Sequence, residues 1–220
     1  CIRDRSHTVE ALSRSAGATR LPGAFALREP GGPRLLRWAL LLHDISKPET
    51  LAVDTGGRPT FHGHEVIGAR RADALLRRMR LPRSERRRIV RLVLLHLRPS
   101  HLADAGAPPR GMRRLARDAA GDLPILALHA ACDAKASQGP GAAIRWRRLR
   151  SVLLALLELA SRSQGGPPPA LVDGRDVMRV LCLPPGPRVG RVLERVRDGQ
   201  ESGKLRSRKD ALDYLARLRD

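Results

Sequence analysis

Aromatic side chains are nearly absent from this chain. Two Phe, two Trp and one Tyr make up 2% of its 220 residues. Proteins that bind single-stranded nucleic acid commonly stack bases on exposed aromatic rings, so a stacking platform of that kind is not expected here. If RNA binds this chain, we expect contacts to its phosphates to dominate.

Cysteines and long apolar runs are also scarce. The three cysteines, at positions 1, 132 and 182, match neither disulfide nor zinc spacing, so we expect reduced thiols and a cytoplasmic location. The longest apolar stretches, near 38–42 and 152–160, fall well short of the ~20 residues that a membrane span needs. The chain begins with Cys1 and shows no signal segment, so we expect it to lack its N-terminal part.

Acidic residues are outnumbered, with 22 against 42 basic residues and a net charge of +20. Such an excess suggests a polyanionic partner such as a nucleic acid. Only four of the basic residues are lysines, so the arginine excess could instead reflect a GC-rich genome. Charge alone leaves both interpretations open.

Helical periodicity runs through most of the chain, and no segment shows the alternation of a strand. The fold class expected is therefore all-α. The pattern predicts helices over 6–16, 34–46, 63–80, 85–97, 122–137 and 142–161, with a turn or loop at 54–59. The apolar side of the third helix is expected to carry Ile67, Ala72, Leu75, Leu76 and Met79. Ser84 is expected to cap the fourth helix.

A Gly/Pro-rich linker separates this region from the last 50 residues. The predicted organisation is a domain over 1–162, a linker over 163–169 and a small basic tail over 170–220. The tail is expected to form three short helices. Pro187 marks a helix start, and Ser207 with Asp210 forms a plausible capping pair.

The segment "RWALLLHDISKPET", residues 37–50, places a charged pair at the end of a leucine-rich helix. Burying an ionised carboxylate costs several kcal/mol unless something pairs with it. Asp44, which follows His43, therefore needs a partner. Its identity is the central question that this sequence poses.

Other ionisable residues are also predicted to point into the core. His96 continues the buried stripe of Ile89 and Leu92, Asp133 shares a helix face with Leu126, and His64 opens the helix at 63–80. Each alone has an ordinary structural explanation. Taken together, the set suits a divalent metal that keeps open positions for water, and its members are His7, His43, Asp44, His64, His96 and Asp133.

The order His, His-Asp, His, His, Asp resembles that of the HD-domain metal-dependent phosphohydrolases. "ALLLHDISKPET", "FHGHEVIGARRADALLRRMRLP" and "LVLLHLRP" are similar to the HD portion of bacterial tRNA nucleotidyltransferases (CCA-adding enzymes) and their poly(A) polymerase relatives. The tail, with its "LPPGPRVG", resembles the RNA-binding tail of the same proteins. The resemblance implies an HD-domain helical bundle followed by a small α-helical tail.

The resemblance also implies roles. His7, His43, Asp44 and Asp133 would hold a divalent metal, namely Mg, Mn or Ni. His64 and His96 would contact the substrate phosphate or a second ion, and Lys47 would counter phosphate charge. The family's usual glycine is Ser46 here.

Three further positions are open to more than one interpretation. His129, one turn before Asp133, could pair with that carboxylate or compete as a ligand, although a partly buried core histidine is the simpler interpretation. Cys132 is expected to serve packing. His62 and His101 are expected in loops without an assigned role.

The basic residues of the tail are candidates for contact with RNA phosphates. They could equally be an ordinary solvated face. The candidates are Arg188, Arg191, Arg195, Lys204, Arg206, Arg208 and Lys209. The helix start after "PPGP" would add free N–H groups to the same surface.

Three hypotheses follow from these patterns. The first is the HD-plus-tail part of a tRNA nucleotidyltransferase-like protein that binds RNA and hydrolyses phosphoesters. The second is a non-catalytic, structural RNA-binding body, and the third is a free-standing HD phosphohydrolase acting on small nucleotides. Nucleotidyl transfer itself is not expected from these residues, because they contain no D-x-D or D-x-E carboxylate pair and no Gly-rich phosphate-binding turn.

Overall fold

The computed structural model describes residues 22–137, 140–162 and 169–218. The predicted helix at 6–16, with His7, and the linker residues 163–168 lie outside these ranges. The chain divides into two compact units, Cys1–Gln164 and Gly165–Asp220. No helix in the described ranges is long and apolar enough to cross a membrane.

The first unit is built from helices around one apolar core, in agreement with the all-α prediction. One 3₁₀ turn, Ala24–Arg28, precedes the first of these helices, and a second, Ala120–Asp122, joins the fifth to the sixth. The helices are α1 (Gly32–Leu42), α2 (His64–Arg78), α3 (Arg83–Leu95), α4 (Arg98–Asp104), α5 (Pro109–Ala119), α6 (Leu123–Ala136) and α7 (Ala142–Arg162).

Helix α1 begins and ends earlier than predicted. Gly31 has a left-handed backbone, and a Cβ on Gly32 would overlap the carbonyl oxygen of Ala26, so the helix begins where only glycine fits. It ends at Leu42, and His43 already belongs to the following turn. The His-Asp pair therefore lies on a turn at the helix end, where its side chains can meet those of other helices.

A small hairpin follows this turn, although no strand was predicted. Strands β1 (Ala52–Val53) and β2 (Pro59–Thr60) pair antiparallel, and the predicted turn at 54–59 joins them. The carboxylate of Asp54 accepts hydrogen bonds from the backbone N–H groups of Gly56 and Arg58 and so holds the turn. Strands of two residues are too short to show alternation in the sequence.

Helices α2 and α3 form an antiparallel pair, close to the two predicted helices. The predicted apolar side of α2 is partly wrong, because Ile67 and Met79 are exposed and the buried face is made by small residues and Leu76. The predicted cap at Ser84 is also wrong. Pro82 is the residue before α3, and its extended backbone fixes the helix start at Arg83.

Helices α4 and α5 were not predicted. Both are short and begin with proline in the first turn, at Pro99 and Pro109. Proline is tolerated there because those N–H groups have no partner within the helix. In the sequence these prolines read as loop signals, so the helices behind them were missed.

Helix α6 passes through the centre of the first unit. It is buried on almost every side, from Leu123 to Cys132. A helix that is apolar all round must be surrounded by other helices. Its position brings Asp133, near its C-terminal end, against the turn that follows α1.

The second unit forms the three predicted helices, α8 (Gly174–Leu181), α9 (Pro187–Glu201) and α10 (Arg208–Ala216). The start at Pro187 and the Ser207–Asp210 capping box are confirmed, and Asp173 forms a second box with Asp176. Both boxes satisfy N–H groups that a helix start leaves open. Val177, Val196 and Leu215 belong to a separate small core.

Candidate metal centre

Four chain segments bring ionisable side chains to one place. His43 and Asp44 lie on the turn after α1, His64 is the first residue of α2, and His96 directly follows α3. Asp133 comes from the last turns of α6. The three histidines are buried and the two carboxylates are half-buried, so each charge depends on its neighbours rather than on water.

Each of the three histidines is held by its own backbone. The Nδ1 of His43 lies 2.9 Å from the carbonyl oxygen of Leu40. The Nδ1 atoms of His64 and His96 lie 2.7 Å from the carbonyl oxygens of Phe61 and Val93. Since a carbonyl can only accept, Nδ1 carries a proton in all three rings, and a neutral ring presents an Nε2 lone pair. Histidines that bind metals are oriented in this way.

The Nε2 atoms of His64 and His96 face each other at 3.2 Å. Oδ1 of Asp44 lies 3.5 Å from the first and 4.0 Å from the second. One ligand atom from each of these three residues lies within 4.8 Å of the others. Two lone pairs and a carboxylate oxygen at such distances repel one another unless a proton or a cation lies among them.

His96 is well suited to be a neutral ligand. Burial lowers its pKa to about 4, with a further contribution from the neighbouring His43 and His64, although the bond to Val93 opposes this. At neutral pH its Nε2 therefore carries a lone pair. A metal does not have to displace a proton from this ring.

His43 differs from His96, because it faces two carboxylates. Its Nε2 lies 3.2 Å from Oδ2 of Asp44 and 3.6 Å from Oδ1 of Asp133. Burial alone would lower its pKa, but the bonds to Asp133 and Asp44 outweigh burial and raise it to about 9. Without a metal, His43 is therefore the cation of this cluster at neutral pH.

Asp44 has two cationic neighbours. Its Oδ2 also accepts a hydrogen bond of 2.9 Å from Nζ of Lys47, whose ammonium lies 5.5 Å from the centre of the Phe61 ring. Burial by itself raises the pKa of Asp44, but His43 and Lys47 together hold it well below its usual range. The carboxylate is thus ionised, with Oδ2 turned to the cations and Oδ1 to the two other histidines.

His129 is fully buried rather than partly buried as expected. Its ring packs edge-on against those of His43 and His96, with centroids 5.0 and 5.9 Å apart. Within the described residues neither ring nitrogen makes a hydrogen bond of normal geometry, and burial lowers its pKa well below the usual value. His129 thus packs against the cluster as an uncharged ring. It is not part of the group formed by Asp44, His64 and His96.

Other expected residues lie as follows. Cys132 is buried, and burial with the nearby Asp133 raises its thiol pKa to about 12, which suits a packing role. His62 is exposed, and His101 is exposed on α4 rather than in a loop. Ser46 is fully buried, and its hydroxyl has no hydrogen-bond partner in the described part of the chain.

The structure therefore brings together most of the predicted set. Asp44 lies between His43 and Lys47 on one side and His64 and His96 on the other. The sequence placed these last two histidines with the substrate phosphate or a second ion, whereas the geometry groups them with Asp44. The spacing of these residues in the sequence does not indicate that grouping, because it depends on how α2 and α3 pack together.

The tail candidates lie on the surface of the second unit. All seven are exposed: Arg188, Arg191 and Arg195 on α9, and Lys204, Arg206, Arg208 and Lys209 around the start of α10. Arg208 is already engaged, because its guanidinium donates to Oδ1 of Asp176 and to the carbonyl oxygen of Leu171. Its contacts therefore hold the unit together.

These features define a helical protein with a candidate divalent-metal site of histidine and aspartate at its helix ends. Comparison with known proteins adds the family: the sequence profile of the HD domain matches residues 6–132. The chain belongs to the HD domain family.

Three characterised proteins are similar to this chain. An A-adding tRNA nucleotidyltransferase of Deinococcus radiodurans is 36% identical over 191 residues, which cover 86% of this chain and 43% of that protein. A CC-adding tRNA nucleotidyltransferase of Thermus thermophilus is 31% identical over 187 residues, covering 84% and 40%. One of Geobacter sulfurreducens is 45% identical over 47 residues, covering 21% and 11%. The chain thus spans about two fifths of the length of the first two relatives.

Proposed function

We propose that this chain is a divalent-metal phosphohydrolase that acts on phosphoesters carried by RNA, with its tail holding the RNA. The observation that carries the proposal is the approach of the His64 and His96 Nε2 atoms, 3.2 Å apart, beside Oδ1 of Asp44. Both rings are locked by backbone carbonyls, so neither can turn a proton-bearing Nδ1 toward the other. A divalent cation among the three would relieve the repulsion.

The donor set fits such an ion. Imidazole nitrogens with an ionised carboxylate suit Mn or Ni, and carboxylates with water suit Mg. Asp44, His64 and His96 would hold it, with His43, Asp133 and His7 completing the set that the family resemblance implies. A bound divalent ion supplies an activated water and polarises a phosphoryl oxygen.

The residues around the ion have separate tasks. Lys47, 2.9 Å from Asp44, would turn to an incoming phosphate once a metal neutralises that carboxylate. His43 would keep Asp44 and Asp133 in place through its Nε2. The buried wall of His129 would exclude water from the back of the site.

The tail would contribute RNA affinity through phosphates. Arg188, Arg191 and Arg195 line one exposed side of α9, and Lys204, Arg206 and Lys209 lie around the start of α10. Helix α9 starts at Gly186–Pro187 without a side-chain cap, so the positive end of its dipole would also favour a phosphate. Phosphate contacts position an RNA without reading its sequence.

The names of the relatives suggest which RNA this chain binds, and we propose tRNA. Both long matches are tRNA nucleotidyltransferases by name, so tRNA ends are the proposed substrate and the cytoplasm the proposed location. Terminal phosphates and 2′,3′-cyclic phosphates are the proposed phosphoesters. Nucleotide addition would need further residues, because this sequence has no D-x-D or D-x-E carboxylate pair for it.

Hydrolysis is tested directly with the purified chain. We expect turnover of a generic phosphodiester and of a 2′,3′-cyclic nucleotide when Mn²⁺ or Ni²⁺ is added. Asp44→Asn should lower that turnover at least ~100-fold, since losing a residue that merely orients a ligand already costs about 10–100-fold. His101→Ala, at an exposed histidine, is the control and should leave turnover unchanged.

RNA binding is tested separately by titration with a tRNA transcript at several salt concentrations. Arg188→Ala with Arg191→Ala should weaken binding and reduce the salt slope by about one per lost phosphate contact. Arg58→Ala, at an exposed arginine of the hairpin, is the matched control. Equal tRNA affinity and equal salt slope in the wild type and both variants would exclude this tail surface as the RNA-binding site.

A structural role for the site is the second candidate. It is favoured by the ion pairs of Asp44 with Lys47 and His43, which neutralise the carboxylate without a metal. In that case the core would be a non-catalytic RNA-binding body. A wild-type protein that is stable, binds tRNA and is inert with every added metal would support this second candidate.

A further inference from the structure

A cavity of about 140 Å³ lies between α4, the C-terminal end of α6 and the first turns of α7. This volume is far above the roughly 10–15 Å³ that one water needs, and below the about 300–1,000 Å³ of a pocket that encloses a whole drug-sized ligand. The cavity is therefore large enough for one flat ring system of a larger ligand, but not for a whole drug-sized ligand.

The cavity adjoins the candidate metal centre through Asp133. This residue lines the cavity, and its Oδ1 lies 3.6 Å from Nε2 of His43. A group bound in the cavity is thus one side chain away from the metal centre. In a nucleotide, the base is likewise separated from the phosphoester by a single group, the sugar.

An aromatic wall suits a flat ring. Trp146 lines the cavity and is half-buried. The ammonium of Lys135 lies 4.6 Å from the centre of its ring, and Lys135 is not among the residues that line the cavity. Lys135 therefore does not fill the cavity, and Trp146 is the one aromatic residue of its described lining.

The polar lining suits a ring that donates hydrogen bonds. Ser100 and Asp104 lie one turn apart on α4, and both line the cavity. Neither side chain makes an ion pair or hydrogen bond with the described residues. With Asp133 the cavity has two carboxylates, which repel a phosphate and accept bonds from ring amino groups.

The one cationic group of the described lining is turned to the backbone. Arg145 donates from Nη1 to the carbonyl oxygen of Pro140, at 2.8 Å. Ser137 donates to the carbonyl oxygen of Asp133, at 3.0 Å. Asp133 is paired with His43, so Asp104 supplies the carboxylate that can accept from a bound ring.

We propose that this cavity is a nucleobase subsite. It takes an amino-bearing base, adenine, cytosine or guanine, of the nucleotide whose phosphoester lies at the metal centre. Trp146 stacks on the base, and Asp104 accepts from its amino group. The proposal rests on the proposed phosphohydrolase function, although binding of the base itself needs no metal.

Trp146 is also the reporter, because the chain has only one other tryptophan, Trp38. In a Trp38→Phe variant of the full chain, kept metal-free with a chelator, adenosine and cytidine should change the Trp146 fluorescence saturably. Uridine, which has no amino group, should bind at least about tenfold more weakly, and ribose 5-phosphate should give no change.

A second variant keeps the test independent of Trp38. In the wild-type chain, equilibrium dialysis with labelled adenosine should give the same affinity, and Asp104→Asn should weaken it at least about tenfold. Glu65→Gln, at a carboxylate outside the cavity, should not. Equal binding of uridine and adenosine, or an unchanged Asp104→Asn, would overturn the subsite.

Failure of the subsite and failure of the proposed function can be told apart. If the chain shows no metal-dependent turnover but binds adenosine, the proposed hydrolase function is refuted and the nucleobase subsite still stands. Turnover that is intact and equal for adenosine and uridine 2′,3′-cyclic phosphates, with no nucleoside binding, would refute the subsite alone.

Discussion

His64 and His96 point their Nε2 atoms at each other across 3.2 Å, while backbone carbonyls hold the opposite side of both rings. The contact joins the start of α2 to the end of α3. Because each Nδ1 faces a carbonyl oxygen that can only accept, two uncharged rings in this arrangement would have no proton between their Nε2 atoms. The pair is therefore explained most simply as half of a cation site that Asp44 completes.

Lys47 should compete with the metal for Asp44. In Lys47→Met the ion pair at 2.9 Å is lost, so the carboxylate is left to bind a cation and Mn²⁺ affinity should rise several-fold. Turnover should fall at the same time, because the phosphate loses its counter-charge. Calorimetric Mn²⁺ titration and phosphodiester kinetics measure the two effects. A fall in both affinity and turnover would contradict the competition.

The pH dependence of the metal-free protein should follow His43. Its pKa is raised from 6.5 to about 9, so its contribution to stability is complete below pH 6.5 and is lost as pH rises toward about 9. Metal binding needs the deprotonated Nε2, so affinity for Mn²⁺ should rise over the same window.

Thermal unfolding at several pH values, with a chelator and with Mn²⁺, measures both slopes. The melting temperature should fall between pH 6.5 and 9 with the chelator, and the stabilisation by Mn²⁺ should grow. His43→Gln should flatten the chelator curve in that window. A wild-type curve that is already flat would show that the carboxylates do not hold a proton on His43.

Ser46 should be a destabilising residue. Its side chain is fully buried with an unpartnered hydroxyl, and burying such a group costs about 1–3 kcal/mol. Ser46→Ala should therefore raise the free energy of unfolding by about 1 kcal/mol, as measured in urea. Ser100→Ala, at a half-buried serine, is the control and should change it by less than about 0.5 kcal/mol. A destabilised Ser46→Ala would mean that the hydroxyl has a partner, such as an ordered water.

Asp176 should hold the second unit together. Its Oδ1 accepts from Arg208 at 2.7 Å and from Arg179 at 2.9 Å, and its Oδ2 accepts from the N–H of Asp173. Asp176→Asn should destabilise this unit by about 1–3 kcal/mol, since bonds to a charged acceptor are among the stronger ones.

Hydrogen exchange of peptides from 174–216 measures that loss locally. Exchange should accelerate in Asp176→Asn, while peptides of the first unit keep their rates. Lys209→Ala is the control and should leave exchange unchanged, because it is Arg208, not the neighbouring Lys209, that donates to Asp176. Equal rates in wild type and Asp176→Asn would mean that the arginines do not stabilise the tail through this carboxylate.

Much of this fold could be predicted because its helices are long and strongly periodic. The buried stripe of Leu92 and Val93 pointed His96 inward, and the structure agrees. The short helices α4 and α5 could not be predicted, because prolines at their starts resemble loop signals. The hairpin was missed because two-residue strands carry no pattern.

The sequence allowed the residues of the site to be named, but it did not predict the geometry of the site. The residues Asp44, His64, His96 and Asp133 were named from their order in the chain, but the sequence did not show which of them touch. The 3.2 Å contact of His64 with His96 depends on the packing of α2 on α3. The full burial of His129 likewise depends on α6 being surrounded on all sides.

Metal binding by Asp44 tests the account most directly. Purified wild-type chain, stripped with a chelator and dialysed, is titrated with Mn²⁺ and Ni²⁺ by calorimetry beside Asp44→Asn and His101→Ala. We predict saturable binding to the wild type and to His101→Ala, and a loss of at least ~100-fold in affinity for Asp44→Asn. Equal affinity in all three proteins, or no binding to any, would contradict a divalent-metal site at Asp44.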